Sequence, residues 1–119
     1  MRIKKSILIV EDDELVSGTF QCVLEEEGHV VLCCHNGSDA LMLAKVQNFD
    51  VIMADYNLQD IKGDELCRLL RLDHPNIFII GCSGENHDKA FLSAGADTFI
   101  MKDQLIQDIA LLMKSITTG

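Results

Sequence analysis

Acidic residues close two of the short apolar runs in this sequence. Glu11, Asp12 and Asp13 follow Ile7-Leu8-Ile9-Val10, and Asp55 follows Val51-Ile52-Met53-Ala54. Carboxylates gathered at one crevice raise one another's pKa unless something compensates. A hard divalent cation is the simplest compensation, and Mg2+ takes a few carboxylate oxygens plus waters. No soft ligand accompanies these residues, which disfavours zinc or copper. Two more polar side chains stand directly after apolar runs: Ser83 and Lys102. A carboxylate, a metal site, a hydroxyl and an ammonium together suit phosphoryl transfer onto the carboxylate. In that chemistry Asp55 attacks phosphorus, Mg2+ and Lys102 neutralise the equatorial oxygens, and Ser83 hydrogen-bonds one of them.

These residues serve one reaction only if the fold brings them together. Runs 7–10, 30–34, 51–54, 77–82 and 98–101 are short and apolar, as expected of strands buried on both faces. Amphipathic stretches alternate with them. Val16, Phe20, Val23 and Leu24 form one stripe, and Gly28 supplies a helix stop. Asn36-Gly37 marks a turn, with Ser38 as the expected cap of a helix carrying Ala40, Leu43 and Ala44. Leu66, Leu69 and Leu70 mark a helix that must stop near His74, because Pro75 follows. A short helix is expected around residues 88–94, ending at Gly95, and a last one carries Leu105, Ile109, Leu112, Met113 and Ile116. Five strands alternating with five helices predict an α/β fold: a five-stranded parallel sheet, doubly wound and flavodoxin-like, with helices on both faces. The strand order expected is 2-1-3-4-5, with the ligand crevice beyond the carboxyl ends of strands 1 and 3. Glu11, Asp12, Asp13 and Asp55 should therefore meet there, with Ser83 and Lys102 at the same edge.

Bulk composition narrows the function. At 119 residues the chain fits one domain, 1–119, with no output domain expected after the last helix. A net charge of −9 argues against direct binding of nucleic acid or an anionic membrane, since either needs a basic face. The apolar run after the basic start is too short and too soon acidic for a signal peptide, so a cytoplasmic location is expected. Five cysteines without metal-type spacing read as reduced thiols rather than a disulfide framework. His29, His35, His74 and His87 show no ligand spacing and receive no function. Met42, Met53, Met101 and Met113 are expected in or near the core. Phe91, Leu92 and Met101 are expected on a face available for dimerisation.

The runs "ILIVEDDE", "DVIMADYNLQDIKGDEL", "IFIIGCSGE" and "GADTFIMK" resemble, in order and over nearly the whole chain, the four signature stretches of response-regulator receiver domains of two-component signal transduction. The resemblance implies a bacterial-type phosphorelay module. Asp55 would be the phosphoacceptor, Asp12 a direct metal ligand, Glu11 a ligand acting through water, and Asn57 a ligand through its backbone carbonyl. Ser83 matches the switch hydroxyl, Lys102 the site lysine, and Phe99 the aromatic whose rotamer reports phosphorylation. Asp13 matches no ligand role and reads as a helix-start carboxylate favoured by the dipole. Asn57 and Glu85 match the pair that tunes dephosphorylation, and these residue types imply a short-lived acyl phosphate. The implied cofactor is Mg2+, with Mn2+ as a substitute. The implied partners are a sensor histidine kinase or phosphotransfer protein and a downstream protein target. The chain would be a monomer or a weak phosphorylation-dependent dimer, and not a classical enzyme.

Three departures from the pattern bear on function. Gln59 replaces a usual proline, so the loop after the acceptor should be less stiff. Asp103 replaces the proline that normally follows the lysine. A cis Lys102–Asp103 bond would cost ~2.5–4 kcal/mol, so the bond is either strained or trans. The segment between Ser83 and Gly95 is short, which truncates the fourth helix or tightens its leading loop. These departures define one competing reading: a degenerate, non-phosphorylated interaction module on the same fold. A phosphohydrolase or flavin protein is the other competitor. Asn57 breaks a DxD nucleophile motif, and the acidic loop after the first strand would repel a flavin phosphate.

Overall fold

The computed structural model describes residues 3–118. Its elements run β1 (Ser6–Val10), α1 (Glu14–Glu26), β2 (Val30–Cys34), α2 (Gly37–Val46), β3 (Val51–Asp55), α3 (Gly63–Asp73), β4 (Phe78–Ser83), α4 (Asp88–Ser93), β5 (Thr98–Met101) and α5 (Lys102–Thr118). The strands form one sheet in the order β2-β1-β3-β4-β5, and every pairing is parallel. The expected doubly wound α/β architecture is thus the one observed.

The interiors of the central strands are apolar because both faces of the sheet are covered, and polar residues stand only at their ends. Successive side chains of a strand point to opposite faces. In β1, Ile7 and Ile9 pack with Phe20 and Leu24 of α1 and Leu105, Ile109 and Met113 of α5. Leu8 and Val10 enter the other core, with Ala40 and Ala44 of α2, Leu66 and Leu70 of α3, and Phe91 of α4. Helices α1 and α5 therefore cover one face, and α2, α3 and α4 the other.

Local signals set most boundaries. Asp13 caps α1, its Oδ1 accepting from the N–H groups of Leu15 and Val16. The chain leaves α1 through Gly28 at φ 94°, a region open to glycine and strained for other residues. His74 follows α3 directly and donates its N–H to Leu70 O, where Pro75 forbids continuation. Helix α4 has six residues, the truncation expected from the short segment.

Three expectations are corrected. The cap of α2 is Asn36, whose extended backbone (φ −151°) aims Oδ1 at the N–H of Asp39, so Ser38 lies inside the helix. Met42 is 63% exposed, because α2 turns its small residues Ala40 and Ala44 to the sheet and leaves Met42 opposite them. Phe91 is fully buried and belongs to the core, not to a free face. Among the described residues no helix is long and apolar enough to cross a membrane.

Candidate functional site

The parallel order brings the carboxyl ends of the strands to one edge. Val10 pairs with Ala54, Asp55 with Cys82, and Ser83 with Met101. The residues next in line are Glu11, Asp55, Ser83 and Lys102, so the sheet itself collects the side chains singled out in the sequence. One carboxylate oxygen each from Glu11, Asp12 and Asp55 lies within 4.8 Å of the others. Glu11 and Asp55 are buried at 2% exposure, while Asp12 faces solvent.

Lys102 reaches into this cluster from the start of α5. Its Nζ lies 2.6 Å from Glu11 Oε1 and 3.2 Å from Asp55 Oδ1. The Lys102–Asp103 bond is trans, since no cis peptide occurs among the described residues. With no proline ring after the lysine, α5 begins at Lys102 itself, and the ammonium still reaches both carboxylates.

The electrostatics of the cluster are those of too many carboxylates for one ammonium. Burial pushes the Glu11 carboxyl from 4.5 up to about 7. The Lys102 ammonium and the Asp13 N–H oppose that rise, while Asp55 and Asp12 add to it. For Lys102, burial works against the charge, but Glu11 and Asp55 outweigh it and raise the pKa. Glu11 Oε1 is buried and accepts no aligned hydrogen bond, so its contact with Lys102 is electrostatic. With all three carboxylates ionised, one ammonium leaves the cluster with net negative charge, and the donors are all hard oxygens. Both features fit a divalent cation of the Mg2+ class.

The remaining candidates occupy the rim. Ser83 is fully buried, and its Oγ accepts from Glu85 N–H at 3.1 Å, which leaves the hydroxyl proton to donate. Glu85 has a side chain 85% exposed. Asn57 lies in the loop after Asp55, bridged to Lys62, and its Oδ1 accepts from Lys62 Nζ at 3.3 Å. Phe99 is half-buried on the edge strand, 5.8 Å from the Phe91 ring.

Several residues that shape the site escaped the sequence reading. His35, at the end of β2, bonds through Nδ1 to Glu11 O at 3.0 Å, and a carbonyl can only accept, so Nδ1 donates. Together with Glu11 N–H to Cys34 O, it fixes the acidic loop to β2. The signal was positional: β2 neighbours β1, so a residue after Cys34 must lie beside Glu11. Asp60 takes over the stiffening that a proline at 59 would give. Its carboxylate accepts from Gly37 N–H and Ser38 N–H across the loop, and from Ile61 N–H. These bonds, led by the one from Gly37, hold the Asp60 pKa below its usual value.

Comparison with known proteins identifies the family. The sequence profile of the response regulator receiver domain matches residues 7–114. The cell cycle response regulator CtrA of Brucella ovis is 31% identical over 128 aligned positions, covering 95% of this chain and 55% of that protein. The chain thus spans about half the length of the curated relatives it matches. A receiver domain protein from Methanospirillum hungatei superposes with a TM-score of 0.90 at 28% identity, covering 98% of this chain and 95% of that one. The Thermotoga maritima response regulator TrrA, solved in complex with Mg2+–BeF, superposes with a TM-score of 0.85 at 26% identity, covering 93% and 97% of the two chains. Fold, site and sequence thus agree that this chain belongs to the response regulator receiver domain family.

Proposed function

We propose that the chain is a phosphoacceptor module, in which Asp55 takes a phosphoryl group from a histidine kinase or phosphotransfer protein and the change alters binding of a downstream protein. The observation that carries this reading is the Lys102 ammonium seated between Glu11 and Asp55 at 2.6 and 3.2 Å. A buried carboxylate beside an ammonium and an acidic cluster is suited to attack on phosphorus.

In this reading an Asp55 oxygen attacks the phosphorus of a phosphohistidine. The P–N bond breaks, the imidazole leaves, and an aspartyl phosphate forms. Glu11, Asp12, Asp55 and the Asn57 carbonyl would hold Mg2+, which supplies positive charge to the phosphoryl oxygens when bound; Mn2+ would substitute. Lys102 swings from Glu11 to a phosphoryl oxygen, a move left open by the undirected contact at Oε1. Ser83 donates its hydroxyl proton to another oxygen, since its acceptor side already serves Glu85 N–H. Phe99 responds through its contact with Phe91, and Asn57 and Glu85 set the rate of hydrolysis from the rim. The chain assists transfer to and from its own side chain rather than turning over a separate substrate. A cytoplasmic site of action and a monomer, or a weak dimer of the phosphorylated form, complete this reading.

Intact-mass spectrometry after incubation with acetyl phosphate and Mg2+ tests it. Wild type should gain one phosphoryl group and Asp55→Asn none. No gain in wild type would leave a receiver fold that does not take phosphate.

A further inference from the structure

The segment between Ser83 and His87 runs over the surface, held locally by Glu85 N–H to Ser83 Oγ at 3.1 Å and by a 3.8 Å contact of the Glu85 carboxylate with His87 Nε2. Gly84, Glu85 and Asn86 are exposed, and open space surrounds the position of a Gly84 side chain. At His87 the segment meets the rest of the fold. The imidazole lies flat on the ring of Tyr56, with centroids 3.6 Å apart and planes within 8°. Tyr56 is the residue after Asp55. Its N–H donates to Cys82 O at 2.9 Å, and its carbonyl accepts from Gly63 N–H at 2.8 Å, so its backbone is held on both sides. Phe91 meets the same ring edge-on at 6.1 Å, and Lys62 Nζ lies 5.4 Å from its centroid. The stack therefore ties the chain beyond the acceptor to the chain beyond the hydroxyl.

We propose that His87 is a positioning residue for phosphoryl transfer: by stacking on Tyr56 it holds the 84–87 segment so that the Ser83 hydroxyl faces the phosphoryl group on Asp55. This inference rests on the reading of Asp55 as acceptor and Ser83 as its hydroxyl partner. The link from ring to hydroxyl is short. Glu85 N–H, two residues before His87, donates to Ser83 Oγ and fixes which way the oxygen's remaining proton can point. When the stack is lost, the segment swings, the Glu85 N–H departs, and the hydroxyl rotates freely. Glu11 and Asp12 follow β1 and Asp55 ends β3, away from this segment. Asn57 follows Tyr56 directly, but the backbone there is held by the bonds of Tyr56 to Cys82 and Gly63 rather than by the stack, so the cation site should not depend on His87.

The test uses the full chain. The sequence has one tyrosine and no tryptophan, so its ultraviolet emission reports Tyr56 alone. His87 occupies the cap position of α4, and asparagine suits that position while removing the ring. His87→Asn should change Tyr56 emission, and His87→Phe, which can still stack, should restore a quenched and immobile ring. Phosphorylation by acetyl phosphate should slow about two- to tenfold in His87→Asn, the range that an aromatic pair's contribution corresponds to. Mg2+ affinity should stay at the wild-type value, and His87→Phe should recover the rate. In a Ser83→Ala background the same replacement should have no further effect on the rate, because the two residues act as one unit. Unchanged emission in His87→Asn, an equal slowing with and without Ser83, or a parallel loss of Mg2+ affinity would each overturn the proposal. Wild type that takes no phosphate would instead remove the underlying reading, while the emission change would still show the stack.

Discussion

Glu11 is the residue whose removal should reveal the strain of the site most directly. Its carboxyl is 2% exposed and titrates at about 7 rather than 4.5, chiefly through burial. Folding therefore binds a proton to Glu11 between these values, and stability falls as pH rises through that window. The contribution is fully present below about 4.5 and lost above about 7. At about 1.4 kcal/mol per tenfold in proton affinity, the full swing is about 3 kcal/mol. Glu11→Gln removes the titration while keeping shape and burial. Without divalent cation, the variant should be more stable than wild type by up to about 3 kcal/mol near pH 8, with the difference closing near pH 5. Urea denaturation in the presence of a chelator measures this directly. Saturating Mg2+ should then stabilise wild type and narrow the gap, since a ligand that binds the folded state favours it. A difference that does not depend on pH, or a wild type more stable at the alkaline end without metal, would refute the reasoning.

Other perturbations follow from specific contacts. A methyl group on Gly81 would collide with the Phe91 ring, so Gly81→Ala should cost about 1–3 kcal/mol by urea denaturation and speed amide exchange in α4. Arg71 donates to the carbonyls of Gly95 and Ile77 and pairs with Asp97 at 2.9 Å. Arg71→Met should therefore cost about 2–4 kcal/mol, because the carbonyls it serves lose charged donors. Asp60→Ala frees the N–H groups of Gly37 and Ser38 and should cost about 1 kcal/mol near neutrality. Because the Asp60 pKa is depressed, that cost should be present above its ordinary value of 3.8 and vanish as acid protonates the folded-state carboxylate. A cost that persists unchanged in acid, read from the same denaturation series, would assign Asp60 a role other than accepting those bonds.

The parts of this molecule that the sequence discloses are those written in consecutive residues. The run 7–10 alternates between two cores, so its continuous apolar character already implied a sheet covered on both faces. Once strand order is inferred, each residue after a strand has a defined place at the edge, which is why Glu11, Asp55, Ser83 and Lys102 could be grouped in advance. Helix α2 was less legible. Leu41, Met42 and Leu43 are consecutive apolar residues, and only the close approach permitted by Ala40 and Ala44 decides that Met42 faces water. Phe91 lies in a helix of six residues, too short for any periodicity to show its inward face. Asp60 and His87 act on partners 23 and 31 positions away, Gly37 and Tyr56 respectively, and nothing adjacent to them signals the pairing.

The trans Lys102–Asp103 bond illustrates how a departure from pattern can leave the arrangement of the site intact. Phosphoryl transfer onto Asp55, as proposed, would need an ammonium within reach of it, not a particular route to it. With aspartate after the lysine, α5 starts immediately and presents Lys102 from its first residue, with the side chain 26% exposed and the head group between two carboxylates. In this state Lys102 neutralises Glu11 more closely than Asp55. Arrival of a divalent cation at the acidic cluster would relieve Glu11 of that need, and a phosphoryl group on Asp55 would offer the lysine a stronger partner. The same excess of negative charge that lifts the Glu11 pKa thus makes the lysine transferable. Lys102→Met should accordingly leave Asp55 accessible yet slow its phosphorylation, by about the 10²–10³-fold typical of losing one preorganised donor to a developing charge. Transfer kinetics with acetyl phosphate measure the loss, and an unimpaired rate would mean that the lysine only balances charge in the resting site.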